Sequence, residues 1–198
     1  MRAMVYRGPY KVRVEEKEIP PIEHPNDAIV RVTLAAICGS DLHLYHGMMP
    51  DTRVGMTFGH EFIGVVDEVG PSVRNLKRGD RVMVPFNIFC GSCYFCARGL
   101  YSNCHNVNPN ATAVGGIYGY SHTCGGYDGG QSQYVRVPFA DVGPSSSRTG
   151  WTTRTPCCSQ TRFPPGTSGR SSATSSKGMW WWCSVPGRWG CSRPSRRG

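Results

Sequence analysis

Gly59-His60-Glu61-Phe62-Ile63-Gly64-Val65-Val66-Asp67-Glu68-Val69-Gly70-Pro71 carries two messages. Residues 61–69 are a β-branched, largely apolar run closed by Gly-Pro, which reads as a strand ended by a turn. Just before it stands Gly-His-Glu, two side chains that can bind metal or move protons. Three further strands read the same way. Ala28-Ile29-Val30-Arg31-Val32-Thr33-Leu34 alternates in part. Lys77-Arg78-Gly79-Asp80 is a turn into Arg81-Val82-Met83-Val84. Gln133-Tyr134-Val135-Arg136-Val137 alternates polar and apolar before Pro138. Short strands at this spacing predict a mainly β domain, a barrel or a sandwich. A helix signal begins at Ser40-Asp41-Leu42-His43-Leu44-Tyr45, with Ser40 or Asp41 as its cap. Residues 109–132 are rich in Gly and Tyr and read as a long, mobile loop. There is no internal repeat.

The strongest motif is Cys90-x2-Cys93-x2-Cys96-x7-Cys104. Four thiolates in one short loop can close a tetrahedral shell around zinc at ~2.3 Å each. Gly91 and Gly99 permit the turns this needs. Four protein ligands leave no open position, so such a site is structural. Four cysteines also hold iron–sulfur clusters, and four unrelated buried or oxidised thiols are the plain alternative.

A second set is dispersed. Cys38 follows one strand, and His60 and Glu61 precede another. Cys38 and His60 are ligands of the catalytic-zinc type, with Glu61 a third ligand or a group behind them. Ser40 could pass a proton to His43 and on to water. On residue types alone this set is weak, because a His beside Gly is usually just a satisfied polar residue.

Charge divides the 198-residue chain. Its 22 Lys plus Arg against 13 Asp plus Glu give +9. Residues 1–144 are neutral, and residues 145–198 hold nine basic side chains and no acidic one. That stretch also has all five Trp and no Leu, Ile, Asn, Tyr or His. It cannot bury enough apolar area to offset ordering entropy, so an irregular or disordered tail is expected. No apolar run approaches the ~18 residues of a membrane span. The N-terminus turns polar too soon for a secretory signal. A reducing, cytoplasmic setting is expected, and there clustered Cys act as metal ligands rather than disulfides.

Cys38-Gly39-Ser40-Asp41, Gly59-His60-Glu61 with Gly64, Val65-Val66-x-x-Val69-Gly70, Gly79-Asp80-Arg81-Val82 and the four-cysteine lobe together resemble the zinc-dependent medium-chain alcohol dehydrogenases. Tyr127-Asp128-Gly129-Gly130-Gln131-Ser132-Gln133-Tyr134-Val135-Arg136-Val137-Pro138 is similar to the formaldehyde-dehydrogenase-like branch. The resemblance covers most of residues 1–144. It implies a GroES-like, partly closed β-barrel with structural zinc at Cys90, Cys93, Cys96 and Cys104. It implies catalytic zinc at Cys38 and His60 with Glu61 close by, and a proton relay through Ser40 and His43. It further implies oxidation of a small alcohol or aldehyde by hydride transfer to NAD(P), whose Rossmann domain should follow.

After Pro144 the resemblance ends. A dinucleotide site needs a strand, a Gly-x-Gly-x-x-Gly turn and a helix start, and residues 145–198 offer none. The tail reads as a frameshifted Rossmann segment, leaving a truncated and inactive enzyme. Met and Trp have single codons, so Met179-Trp180-Trp181-Trp182-Cys183 read from each third base gives four consecutive Val, a buried parallel strand. The same frame through Cys191 permits Gly-x-Gly-x-x-Gly, with the last Gly forced by Trp189-Gly190. Near Trp151 it forces an Asp, and across Gln160-Thr161 an Asp or Asn. In the branch it resembles, an acidic residue near there completes the catalytic zinc shell. Cys157, Cys158, Cys183 and Cys191 fit no ligand spacing. The competing reading is a zinc-binding module that uses the basic tail on nucleic acid. The neutral first 144 residues argue against a nucleic-acid partner.

Overall fold

The computed structural model describes residues 1–109 and 115–146, and the backbone strands at 182–185 and 188–189. Strand β1 (Arg2–Tyr6) pairs antiparallel with β2 (Val12–Glu16) as a separate hairpin. The main sheet is built on β3 (Ala28–Ile37), β4 (Phe62–Val69) and β5 (Arg81–Val84), neighbours in that order and antiparallel. A two-stranded ribbon, β6 (Asn87–Ile88) with β7 (Gly116–Ile117), flanks the cysteine lobe. Strand β8 (Tyr134–Val137) covers the free edge of β3 at Ala28–Arg31. The four strands read from sequence are β3, β4, β5 and β8. The architecture is mainly sheet with one helix, α1 (Gly39–Tyr45). Among the described residues the sheet does not close into a full barrel.

Alternation explains the core. Ala28, Val30, Phe62, Val66, Val82, Val84, Val135 and Val137 all face one buried cluster, as period-two strands require. Phe62 meets the buried Tyr118 ring edge-on, with centroids 5.3 Å apart. The alternation of β3 is only partial because its register against β4 shifts between Val32 and Leu34. An extra residue at Thr33 flips the parity. Val30 faces the main core, but Leu34 and Ala36 face a second cluster with Ile63.

Short strands of the tail join the main sheet. Ser145–Ser146 form β9 on β5, Trp182–Val185 form β10 on β3, and Arg188–Trp189 form β11 on β10. The reason is geometric: β8 stops at Arg31, so the far end of β3 is left uncovered by β8 and an extended segment can join it. The frame-shift residues 151–161 lie outside the described residues. The Gly/Tyr loop is less loose than its composition suggests. Its described part packs tightly, with Tyr118, Ser121 and Cys124 buried. Gly130 lies so close to Phe62 that a Cβ there would meet the ring at 2.3 Å.

Candidate metal centres

The cysteine lobe follows β6. Short 3-10 turns at Cys96–Arg98 and Tyr101–Asn103 fold it back on itself. Gly99, at φ 74°, caps the first turn in the left-handed region that favours Gly. Cys90, Cys96 and Cys104 are buried and Cys93 is half-buried. All four sulfurs lie within 4.8 Å of one another. Cys90 Sγ is 4.0 Å from Cys96 Sγ, and Cys93 Sγ is 3.8 Å from Cys104 Sγ. A tetrahedral shell with ~2.3 Å zinc–sulfur bonds has edges of about 3.8 Å, so these sulfurs fit zinc. They are too far apart for disulfides, whose sulfurs sit at ~2.05 Å.

The lobe also supplies N–H donors to sulfur. Asn106 Nδ2 donates to Cys90 Sγ at 3.3 Å, and Cys90 N to Cys104 Sγ at 3.3 Å. The Cys96 backbone N–H draws the Cys93 thiol down to about 6. Burial, with the neighbouring thiols, pushes Cys96 up to about 12. Four adjacent thiolates therefore need a cation before all can ionise together.

The second set is assembled from distant chain segments. Cys38 is the N-cap of α1, where Asp41 Oδ2 accepts a 2.7 Å bond from its N–H. The cap is thus one step earlier than Ser40 or Asp41, with Asp41 at the third helical position reaching back. His60 and Glu61 sit in the turn before β4, which Gly59 enters at φ 103°. Ala36 N donates to Glu61 O at 3.0 Å and so draws the end of β3 against that turn. Cys38, His60 and Glu61 bring their donor atoms within 4.8 Å of one another. His60 and Glu61 are buried and Cys38 is half-buried.

The electrostatics favour a proton on the imidazole. His60 Nδ1 lies 3.6 Å from Asp41 Oδ1, and both atoms are buried without a hydrogen-bond partner. Burial opposes charge on His60, but Asp41 and Cys38 outweigh it and raise the ring to about 10. His60 in turn lowers the Cys38 thiol. Burial raises Glu61. One thiol, one imidazole and one carboxylate held around a common point are a catalytic-type donor set with room for a further ligand.

Ser40 Oγ is 3.7 Å from Cys38 Sγ. His43 is exposed on α1, and among the described residues no hydrogen bond joins it to Ser40. Sequence reasoning missed three groups here. Asp41 could have been found from the capping pattern, which placed it three residues after Cys38. Tyr120, edge-on to His60 at 6.4 Å, and Gln131, bonded to Asp41, arrive from the Gly/Tyr loop with no local signal. Gln160 and Thr161, read as a lost ligand position, lie outside the described residues.

The Alcohol dehydrogenase GroES-like domain family matches residues 24–147. The chain belongs to the zinc-dependent alcohol dehydrogenase family. A zinc-type alcohol dehydrogenase-like protein, AdhB of Bacillus subtilis, is 50% identical over 141 residues, 71% of this chain and 37% of the relative. The glutathione-independent formaldehyde dehydrogenase of Pseudomonas aeruginosa is 42% identical over 146 residues, 71% of this chain and 36% of the relative. Among solved structures, alcohol dehydrogenase TADH from Thermus sp. ATN1 superposes with a TM-score of 0.68 at 43% identity, over 75% of this chain and 40% of that one. The chain thus spans less than half the length of these relatives. It carries a zinc-family catalytic domain, and no helix among its described residues is long and apolar enough to cross a membrane.

Proposed function

We propose that residues 1–144 are the zinc-holding catalytic domain of an NAD(P)-dependent dehydrogenase of small alcohols or aldehydes, formaldehyde included. Residues 145–198 are an out-of-frame tail, and the chain as it stands does not turn over. The observation that carries this reading is the pair of unlike donor sets, one of four thiols and one of three mixed groups. The four thiols bind a structural zinc. Cys38, His60 and Glu61 bind a catalytic one, with Nδ1 of His60 turned to Asp41 and Nε2 left for the metal. The free thiols suit a reducing, cytoplasmic setting.

A zinc bound at the second set supplies Lewis acidity to a substrate oxygen. The chain's own residues do the rest of the oxygen-side chemistry. Cys38 offers a thiolate favoured by His60. Ser40, beside it, takes the substrate's hydroxyl proton as it gives up its own, and the exposed His43 on the same turn is the next base toward water. Buried His60 and Glu61 keep the floor of the site dry. Among the described residues no Gly-rich turn joins a strand to a helix, so they do not fit a dinucleotide and supply only this half of the reaction.

The test is metal analysis with NAD(H) titration on the full chain. The expected result is two zinc per chain, one resistant to chelator, with no NADH binding and no turnover of a small alcohol. Restoring the frame near codons 143–147 should add both. A chain that holds no zinc, with all six described thiols reactive, would overturn the reading.

A further inference from the structure

Gln131 touches more of the second metal centre than any feature of its sequence suggests. Its side-chain Nε2 lies 3.1 Å from Ala36 O and 3.2 Å from Asp41 Oδ2. Both partners are acceptors, so the amide's donor end must face them. Its backbone is pinned as well. Gln131 N donates to Phe58 O at 2.9 Å, and Met4 N donates to Gln131 O at 2.8 Å. Gly59 approaches so closely that a Cβ there would meet Gln131 at 2.6 Å. One residue therefore bridges β1, the segment leading to His60, the end of β3 and the first turn of α1.

The consequence lies in how Asp41 is divided. Oδ2 is occupied by two donors, the Cys38 N–H and the Gln131 amide. Oδ1 has no partner and faces His60 Nδ1 at 3.6 Å. A carboxylate held by one oxygen can rotate only about that anchor, so its other oxygen stays aimed at the imidazole. A carboxylate aimed in this way fixes the ring's tautomer and orientation. Gln131 does not achieve this without cost: its own Oε1 is buried with no hydrogen-bond partner. An apolar side chain of the same length would avoid that penalty. A purely packing residue at this place therefore has no use for the amide.

We propose that Gln131 is a positioning residue, which by holding Asp41 Oδ2 aims Oδ1 at His60 and presets the imidazole for the metal. This rests on the reading of Cys38, His60 and Glu61 as a metal site.

The experiment loads the metal-free full chain with cobalt(II). The thiolate-to-cobalt charge-transfer bands separate a four-thiolate site from a one-thiolate site. Wild type is compared with Gln131→Met, which keeps length and removes the donor. The expected result is at least a tenfold weaker second-site affinity with altered second-site bands, and an unchanged four-thiolate site. If wild type takes up only the four-thiolate cobalt, the underlying reading of the site fails. If wild type takes up both and Gln131→Met binds the second within about twofold with the same bands, the role of Gln131 is overturned. If the variant fails to fold, the wild type decides by NMR. Its Gln131 side-chain amide protons should be protected from exchange and should shift when the second site is filled with zinc. Free exchange, or no shift, overturns the proposal.

Discussion

The cysteine lobe and the Cys38–His60–Glu61 set use similar donor atoms but are built in opposite ways. The lobe closes its four sulfurs inside residues 90–104, with two 3-10 turns and two left-handed glycines. The second set depends on β3 pairing with β4, on the bulge at Thr33 and on a helix cap. The first is closed by neighbours in sequence. The second is a product of the sheet. This difference decides what each perturbation should do.

The largest effect should follow removal of the lobe metal. Cys90, Cys96 and Cys104 pack into the main core, and Cys104 is fully buried there. A structural zinc contributes on the order of 10 kcal/mol to such a unit. Cys104→Ser should abolish chelator-resistant zinc and render residues 85–107 susceptible to proteolysis, read by limited digestion. A lobe that stays protected without metal would end the distinction drawn above.

Next comes the sheet that carries the second set. Phe62 is fully buried against Tyr118 and sits one residue from Glu61. Phe62→Ala should cost about 3–5 kcal/mol in urea unfolding and should weaken the second metal before the lobe metal. His60→Ala leaves buried Asp41 without its imidazole and should also destabilise the zinc-free chain, by about 3 kcal/mol. It should lower zinc from two to one per chain, read by atomic absorption. If His60→Ala instead loses both ions, the two centres are coupled.

These contrasts also set what could be read from the chain. The lobe was legible because its spacing is its geometry. Strands β3, β4, β5 and β8 were legible because buried period-two runs look alike in sequence and in structure. The β1–β2 hairpin was not, since Val12–Glu16 is mostly polar and half exposed. Cys38, His60 and Glu61 were named as residues, but their meeting was supplied by family resemblance, because 22 residues separate Cys38 from His60. Gln131 and Asp41 lie 90 positions apart, and no local pattern records a contact of that kind. The pairing of β10 with β3 went unread for a related reason: it depends on where β8 stops, not on anything in Trp182–Val185.

The smallest effect is a count of protons. In the metal-free chain near pH 8, Cys96 is held up to about 12 and Cys104 is also raised, while Cys93 at about 6 is already ionised. Filling the lobe therefore displaces protons from Cys96 and Cys104 at least. At the second set, His60 is held at about 10 and Cys38 is lowered, so the imidazole is the chief source of displaced proton. Acid weakens both sites, because the proton competes with the metal for each of these groups. The lobe's affinity should fall at least as steeply with acid as the second site's. Calorimetry of zinc binding in two buffers of different ionisation enthalpy counts the protons directly. A larger release at the second site would mean that His60 and Cys38 are not preset by Asp41, and that the sheet delivers these side chains without arranging their charge.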